Sequence, residues 1–395
     1  MASGSEQNCV RLAARQVQID CPMPNHGSLA VITYQGLEAL PEAYAEVFGD
    51  GAHTSFFLSR EWFQNFVATV VQDPQHVRIY GAETDRGRPV AALPMLWGPR
   101  PVLSLSPATL NGLANYYSSY FAPVLLSGGD VAAVARAFAA AMWSDRRRWD
   151  VVTLQPLDRD SAMYGHLTRA LRDVGLIVQT YFCFGNWYLD VGGRTYGEYL
   201  ESLSSVLRKN IPYNIRRLQK SGRARIEIIV RDSALDSALD DYEKVYRSSW
   251  KTTEPFPQFI RGLARTAARN GWLRFGLVHV DGEPAAAQIW IVSGGVASIF
   301  KIAYDERFAK LSVGTVLTAK LLEHVIDIDK VKVVDYLSGD DDYKKVWMSH
   351  RREFWGIVGF NAHSLRGVSQ IVRHVGGRFV KRALETARRR IPRRA

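Results

Sequence analysis

The segment Asp335-Tyr336-Leu337-Ser338-Gly339-Asp340-Asp341-Asp342-Tyr343-Lys344 carries the side chains best suited to proton transfer. Asp335 closes an apolar run, where a carboxylate could take a proton from an incoming ammonium, and Tyr343 could give one to a leaving group. The same residues also fit an Asp-rich capped turn entering a helix. Upstream, Ser312-Val313-Gly314-Thr315-Val316 opens a stretch of helical periodicity through Ile326. A helix start offers unpaired N–H groups and a positive dipole end, both matched to phosphate, and Gly314 would let the backbone approach a ligand closely. An ordinary Ser N-cap with Gly in the first turn accounts for the same pattern.

Residues 196–220 predict one or two strongly basic helices with a break at Pro212. Arg208, Lys209, Arg216, Arg217 and Lys220 surround Tyr213 and Asn214 there. Arginine suits carboxylate or phosphate recognition, although a basic helix face is commonly just solvated. Trp250 and Lys251 end a further helix, and Trp250 fits core packing as well as substrate stacking. No GxSxG, Ser-His-Asp order or Cys-His pairing points to a covalent enzyme intermediate. The nine histidines form no HExxH or similar cluster, and Asp340–Asp342 lacks the spacing of a calcium loop. That acidic run reads as solvated loop, and no metal is expected.

A weak internal repeat indicates the elements that must position these groups. Residues 77–95 (VRIYGAETDRGRPVAALPM) align with 273–290 (LRFGLVHVDGEPAAAQIW) after one inserted residue. Arg78, Asp85, Gly87, Pro89, Ala91 and Ala92 then fall on Arg274, Asp281, Gly282, Pro284, Ala286 and Ala287. Both copies read as a β-hairpin. A helix and a short buried strand follow each: Val131–Trp143 with Trp149–Gln155, and Gly314–Ile326 with Val331–Leu337. Strands are also expected at Leu29–Tyr34, Leu176–Asp190, Ala224–Val230 and Arg351–Phe360. Helices are expected at Leu37–Phe48, Arg60–Val71, Ser161–Val174, Ala234–Trp250 and Gln258–Asn270. The fold class is therefore α/β with mixed (α+β) sheets in two tandem units. We divide the chain into a lead-in (1–28), a first unit (29–188), a second unit (189–363) and a basic tail (364–395).

Bulk properties agree with two globular domains: 395 residues, 47% hydrophobic and 23% charged. Cys9, Cys21 and Cys183 form no CxxC pair and leave an odd thiol, which suits a reducing cytoplasm. Met1 to Asn25 has no apolar core and contains Pro22 and Pro24, so it reads as a flexible lead-in instead of a signal peptide. No apolar run is long enough to span a membrane. Of the net charge of +11, nine charges arise from residue 366 onward, where ten lysines and arginines face Glu385 alone. Val368, Ile371, Val372, Val375 and Phe379 sit there at helical spacing, weakened by Gly376-Gly377. Such a segment could rest on an anionic membrane or dock on the protein body; nucleic acid fits least.

Five segments in order, LRKNIPYNIRRLQKSG (207–222), YRSSWK (246–251), DGEPAAA (281–287), AYDERFAKLSVGTVL (303–317) and VDYLSGDDDYKKVW (334–347), carry a resemblance. Together they resemble the CelD-like branch of the GNAT superfamily of acyl-CoA N-acyltransferases. That branch is akin to the Fem-type peptidyltransferases, which also carry two GNAT units. The likeness covers residues 150–360 well and the first half loosely. It implies acetyl-CoA or another acyl-CoA as co-substrate, its pyrophosphate on the backbone of Ser312, Val313, Gly314, Thr315 and Val316. Ser312 stands where the family pattern has its first Gly, and Lys310 lies near the usual basic position but out of register.

Acyl transfer to an amine would then proceed by direct attack, with Asp335 as base and Tyr343 as donor to sulfur. Lys344 resembles a Fem-type lysine that implies charge stabilisation. The resemblance puts Arg208, Asn214 and Arg217 on the acceptor side, with Trp250 and Lys251 in the same region. The acceptor would be a small-molecule or sugar amine, as in polysaccharide or envelope precursors, and the protein cytoplasmic or peripheral on the inner membrane face. The first copy lacks the Ser-x-Gly-Thr turn, starts its helix with an aspartate and has Thr153 in place of Asp335, so it reads as a degenerate, substrate-shaping unit. A tRNA-dependent Fem-type transferase and a non-catalytic anchor are the competing readings. The long helical arm that marks the first of these has no room between Leu235 and Asn270.

Overall fold

The computed structural model describes residues 15–17, 29–99, 106–220, 222–231 and 234–374. The lead-in apart from its short strand, Cys9, Cys21, and the tail from Val375 with Gly376, Gly377 and Phe379 lie outside the described residues.

In chain order the elements begin β1 (Arg15–Val17), β2 (Ala30–Tyr34), α1 (Ala45–Thr54), α2 (Arg60–Thr69), β3 (Val77–Glu83), β4 (Pro89–Gly98), β5 (Thr109–Gly112) and β6 (Val124–Leu125). They continue with α3 (Val131–Ser144), β7 (Val151–Asp158), α4 (Ala162–Asp173), β8 (Ile177–Asp190), α5 (Tyr196–Ser202), α6 (Ser205–Lys220), β9 (Ala224–Ile229), α7 (Leu235–Arg247) and α8 (Pro257–Arg269). The last are β10 (Leu273–Val280), β11 (Glu283–Ser293), β12 (Val296–Tyr304), α9 (Val313–Glu323), β13 (Val333–Ser338), α10 (Asp342–Lys345) and β14 (His350–Phe360).

These residues form two compact units, neither contiguous in sequence. The first comprises 1–50, 73–183 and 354–395; the second comprises 51–72 and 184–353. A contiguous division at 188/189 differs from this in three places: at 51–72, at 184–188 and from 354 onward. Segment 51–72 joins the second unit because Asn65 of α2 donates to the Phe259 carbonyl of α8 and Trp62 packs edge-on to Phe259. Residues 354–360 join the first because they pair antiparallel with β7.

The first unit holds the sheet order β1-β2-β3-β4-β5-β7, with β5 and β7 parallel. Helices α3 and α4 cover one face through Phe138, Met142, Leu167 and Leu171. The second unit runs from the end of β8 through β13, β12, β11 and β10 to β9; only the β12–β13 pair is parallel. Its strands are covered on both faces, hence their nearly continuous apolar runs. Along β10, Phe275 meets Tyr242 of α7, while Gly276 faces α9 so closely that a Cβ there would lie 2.7 Å from Leu317.

Both repeated hairpins form, β3–β4 and β10–β11. Each carries a register shift at the same aligned place, between Ala82 and Glu83 and between Val278 and His279. A shared irregularity at matched positions is stronger support for duplication than the matched residues themselves.

Two local expectations need correction. The helix placed at Leu37–Phe48 starts later: a short 3-10 turn (Glu42–Tyr44) follows Pro41 and leads into α1. Pro212 breaks nothing, because α6 runs through it. Leu207, Ile211, Ile215 and Leu218 hold one face of that helix on the core, which outweighs the backbone bond that proline forfeits. The interruption falls instead at extended Leu203.

Candidate active site

The site grows from a parting of strands. β12 and β13 pair only from Val296↔Val333 to Ser298↔Asp335, yet β12 continues to Tyr304 beside β11 and β13 continues to Ser338. A register shift at Ile289/Trp290 of β11 accompanies the divergence. The resulting wedge is a cavity of about 340 Å³ lined by Ile302, Ala303 and Tyr304 of β12, Tyr336 of β13, and Gly314, Thr315 and Thr318 of α9. Gln288, Trp250, Tyr343 and Trp347 complete it.

The first turn of α9 borders this wedge. Ser312 is left-handed (φ 56°, ψ 33°), a conformation that costs a non-glycine residue about 1–2 kcal/mol. That geometry explains why a glycine is usual at this place. Its side chain makes no capping bond, so the amides that open the helix are not satisfied by the N-cap. The first internal bond is Val316 N–H to the Ser312 carbonyl. The corresponding helix of the first unit behaves oppositely: the Asp130 carboxylate accepts from the amides of Ala132 and Ala133 at 2.9 and 3.0 Å. One helix start is neutralised by its own chain. The other has no such side-chain cap.

A polar chain fixes the α9 end against the sheet. Trp290 Nε1 donates to Gln288 Oε1 (2.9 Å), Gln288 Nε2 to Thr318 Oγ1 (2.8 Å), and Thr318 Oγ1 to the Gly314 carbonyl (3.0 Å). Arg217 of α6 donates to the Lys310 carbonyl at 2.7 Å, which puts a guanidinium beside the turn that enters α9. Trp250 packs on Tyr304 with ring centroids 4.8 Å apart.

The expected residues divide accordingly. Gly314 and Thr315 line the wedge, while Val313 and Val316 point into the core and contribute backbone alone. The Val316 amide is already bonded, which removes it from phosphate binding. Lys310 is exposed and takes part through its carbonyl. Tyr343 lines the wedge against Tyr336, and burial with Asp341 nearby pushes its phenol up to about 12, so it stays protonated at neutral pH.

The structure engages both oxygens of Asp335. Its Oδ1 accepts from Asn186 (2.6 Å) and the Leu337 amide (2.7 Å), and its Oδ2 accepts from Arg352 (2.5 Å). It clamps the strand end where Leu337 turns left-handed (φ 57°). Lys344 is buried too, donating to the Ser338 carbonyl and lying 3.3 Å from Asp341, so it ties down the loop that carries Tyr343. Asp340, Asp341 and Asp342 are all exposed, as a solvated loop requires; Asp340 also accepts from Arg351 and from Trp187 Nε1, and the Arg351 bond above all holds its carboxyl below the usual range. Arg208 pairs with Glu201 at 3.1 Å away from the wedge, and Asn214 is not among the wedge-lining residues. Lys251 lines a separate cavity beside α7 and α8.

Sequence reasoning missed Tyr304, Gln288, Thr318, Tyr336 and Trp347. Two had a signal: Gln288 is the lone polar residue of PAAAQIWI, and Thr318 lies one turn beyond Gly314 on the same helix face. Among the described residues no group of three or more His, Cys, Asp or Glu is arranged to hold a metal, and no helix is long and apolar enough to cross a membrane.

A mixed sheet split beside an open helix end defines the GNAT class of fold. Residues 205–345 match the family model described as the acetyltransferase (GNAT) domain, and that part of the chain belongs to the GNAT superfamily. No curated protein matches the sequence. Among solved structures the chain is similar to FemX, at 10% identity and a TM-score of 0.54, over 80% of this chain and 96% of that one. It is also similar to a conserved protein of unknown function from Bacteroides thetaiotaomicron VPI-5482, at 11% identity and a TM-score of 0.53, over 82% and 98%. At such identities the likeness is one of fold, here extending over both units.

Proposed function

We propose that this protein transfers an acyl group from acyl-CoA to an amine acceptor by direct attack, the second unit doing the chemistry. The carrying observation is the uncapped start of α9 at the edge of the β12–β13 wedge. In this reading the pyrophosphate sits on the amides of Val313, Gly314 and Thr315, with Arg217 supplying positive charge beside them. The thioester arm enters the wedge between Tyr304 and Tyr336. The neutral amine nitrogen bonds to the acyl carbon, the C–S bond breaks, the departing thiolate takes the Tyr343 proton, and the phenolate so formed takes the proton that the amide nitrogen sheds. Asp335 and Lys344 position the loop around Tyr343 and touch neither substrate.

The first unit, its helix start capped by Asp130, is the degenerate one in this reading. A small-molecule or sugar amine remains our proposed acceptor. The charge gathered from residue 366 onward supports, on the same footing, contact with an anionic membrane surface, which salt-dependent flotation on anionic vesicles tests. Calorimetric titration with acetyl-CoA and longer acyl-CoAs, followed by a mass-spectrometric acceptor screen, tests the main reading. Absence of binding by every acyl-CoA would defeat it. The FemX likeness favours a second reading, transfer from charged tRNA. Against that reading, α7 and α8, which occupy the stretch where the long helical arm would be inserted, have only 13 residues each.

A further inference from the structure

A second cavity in the same unit, of about 210 Å³, lies between α7 and α8. Its charged walls are not balanced. Glu254 accepts from Lys301 at 2.8 Å, and Glu243 accepts from Arg261 at 2.7 Å, so both lining carboxylates are already paired. Two lining cations are left over. Among the described residues no ion pair or hydrogen bond engages the Lys251 ammonium, which lies 5.8 Å from the Tyr246 ring and 5.7 Å from the Trp250 ring. Among the described residues the exposed Arg247 guanidinium donates only to the Glu243 carbonyl, within its own helix.

Tyr242 adds an independent sign. It lines the cavity, is 3% exposed, and its hydroxyl is buried without a partner. An unmet buried hydroxyl is costly, and such groups are rare in folded proteins unless water or a ligand completes them.

We propose that this cavity is a subsite for a carboxylate on the acceptor, held by Lys251, Arg247 and the Tyr242 hydroxyl. Two cations and an O–H donor present only donors, and a carboxylate supplies the acceptors they lack. The aromatic faces of Tyr242 and Tyr246 suit a flat apolar body attached to that acid. Trp250 lines the wedge and Lys251, the next residue, lines this cavity, so a molecule anchored by its acid here has its free end directed toward the wedge. Calling it the acceptor rests on the acyl-transfer reading; the binding of a carboxylate does not.

Burial, with Lys301 adding to it, lowers Lys251 to about 8, with Glu254, Lys344 and Asp341 the other charges acting on it. A bound anion raises it again, so binding near pH 8 takes up protons, and affinity falls as pH rises above 8.

The test is calorimetry without acyl-CoA, using 4-(aminomethyl)benzoate and benzylamine as matched probes. The carboxylate probe is expected to bind about tenfold or more tightly. Lys251→Met should abolish that preference, and proton uptake at pH 8 should vanish with it. Tyr242→Phe should weaken the carboxylate probe several-fold while thermal stability holds or rises, since an unmet hydroxyl is removed. Equal affinity for the two probes, or a preference that survives both substitutions, overturns the proposal. Acetyl-CoA titrated separately keeps the two ideas apart. Carboxylate binding without acyl-CoA binding preserves the subsite and defeats the transferase reading; acyl-CoA binding with neither probe bound does the reverse.

Discussion

Replacing Gly314 by glutamate, with alanine as the control, isolates the charge at the start of α9. A Cβ at this position would lie 3.3 Å from Tyr304 Cδ1, a tight contact that both variants share. Alanine also gains about 1 kcal/mol of helix propensity, so its acetyl-CoA Kd should stay within about threefold of the parent. Glutamate brings a carboxylate to the proposed pyrophosphate position. At about 5 Å and an effective dielectric of about 20, each charge pair costs about 3 kcal/mol. Affinity should therefore fall by about a hundredfold or more. Calorimetry on the three proteins reads this directly, with thermal unfolding to show that all are folded. Glutamate and alanine variants of equal affinity would refute the pyrophosphate placement, since neither the charge nor the bulk of the longer side chain would then reach the ligand.

Further outcomes follow at three positions. Tyr343→Phe should lower kcat about a hundredfold with acyl-CoA affinity kept. Because the phenol is held up at about 12, the parent kcat should show no loss of this acid until pH approaches that value. Asp335→Ala should destabilise the protein by about 2–3 kcal/mol in denaturant melts, since Arg352 is a third exposed and is left partly solvated. Asp335→Asn should keep turnover per folded molecule within about threefold, and a loss of a thousandfold would restore the aspartate as base. Arg217→Ala should weaken acetyl-CoA binding about fivefold to tenfold without changing kcat, read from initial rates across acyl-CoA concentration.

Much of this architecture was visible in residue order. The hairpins at 77–95 and 273–290 announced themselves because turn chemistry and apolar alternation are local properties. The helix start at Gly314 did so for the same reason, and the contrast with Asp130 followed from one acidic residue at an N-cap. What depended on partners distant in sequence stayed hidden. Asp335 has the form of a base until Asn186 and Arg352 occupy its oxygens. Arg217 resembles any solvated arginine until its carbonyl partner at Lys310 is known. Pro212 reads as a break unless the buried stripe of α6 is weighed against it. The joining of 51–72 to the second unit depends on Trp62 and Asn65 meeting Phe259, a contact that no local pattern signals.

Backbone nuclear magnetic resonance of the intact chain, titrated with CoA, asks whether the second unit alone offers its helix amides to an anion. The account predicts that the amides of Gly314 and Thr315 shift on addition of CoA while those of Ala132 and Ala133, held by Asp130, stay in place. Unmoved signals at 314 and 315 under saturating CoA, or equal movement at both helix starts, would contradict it.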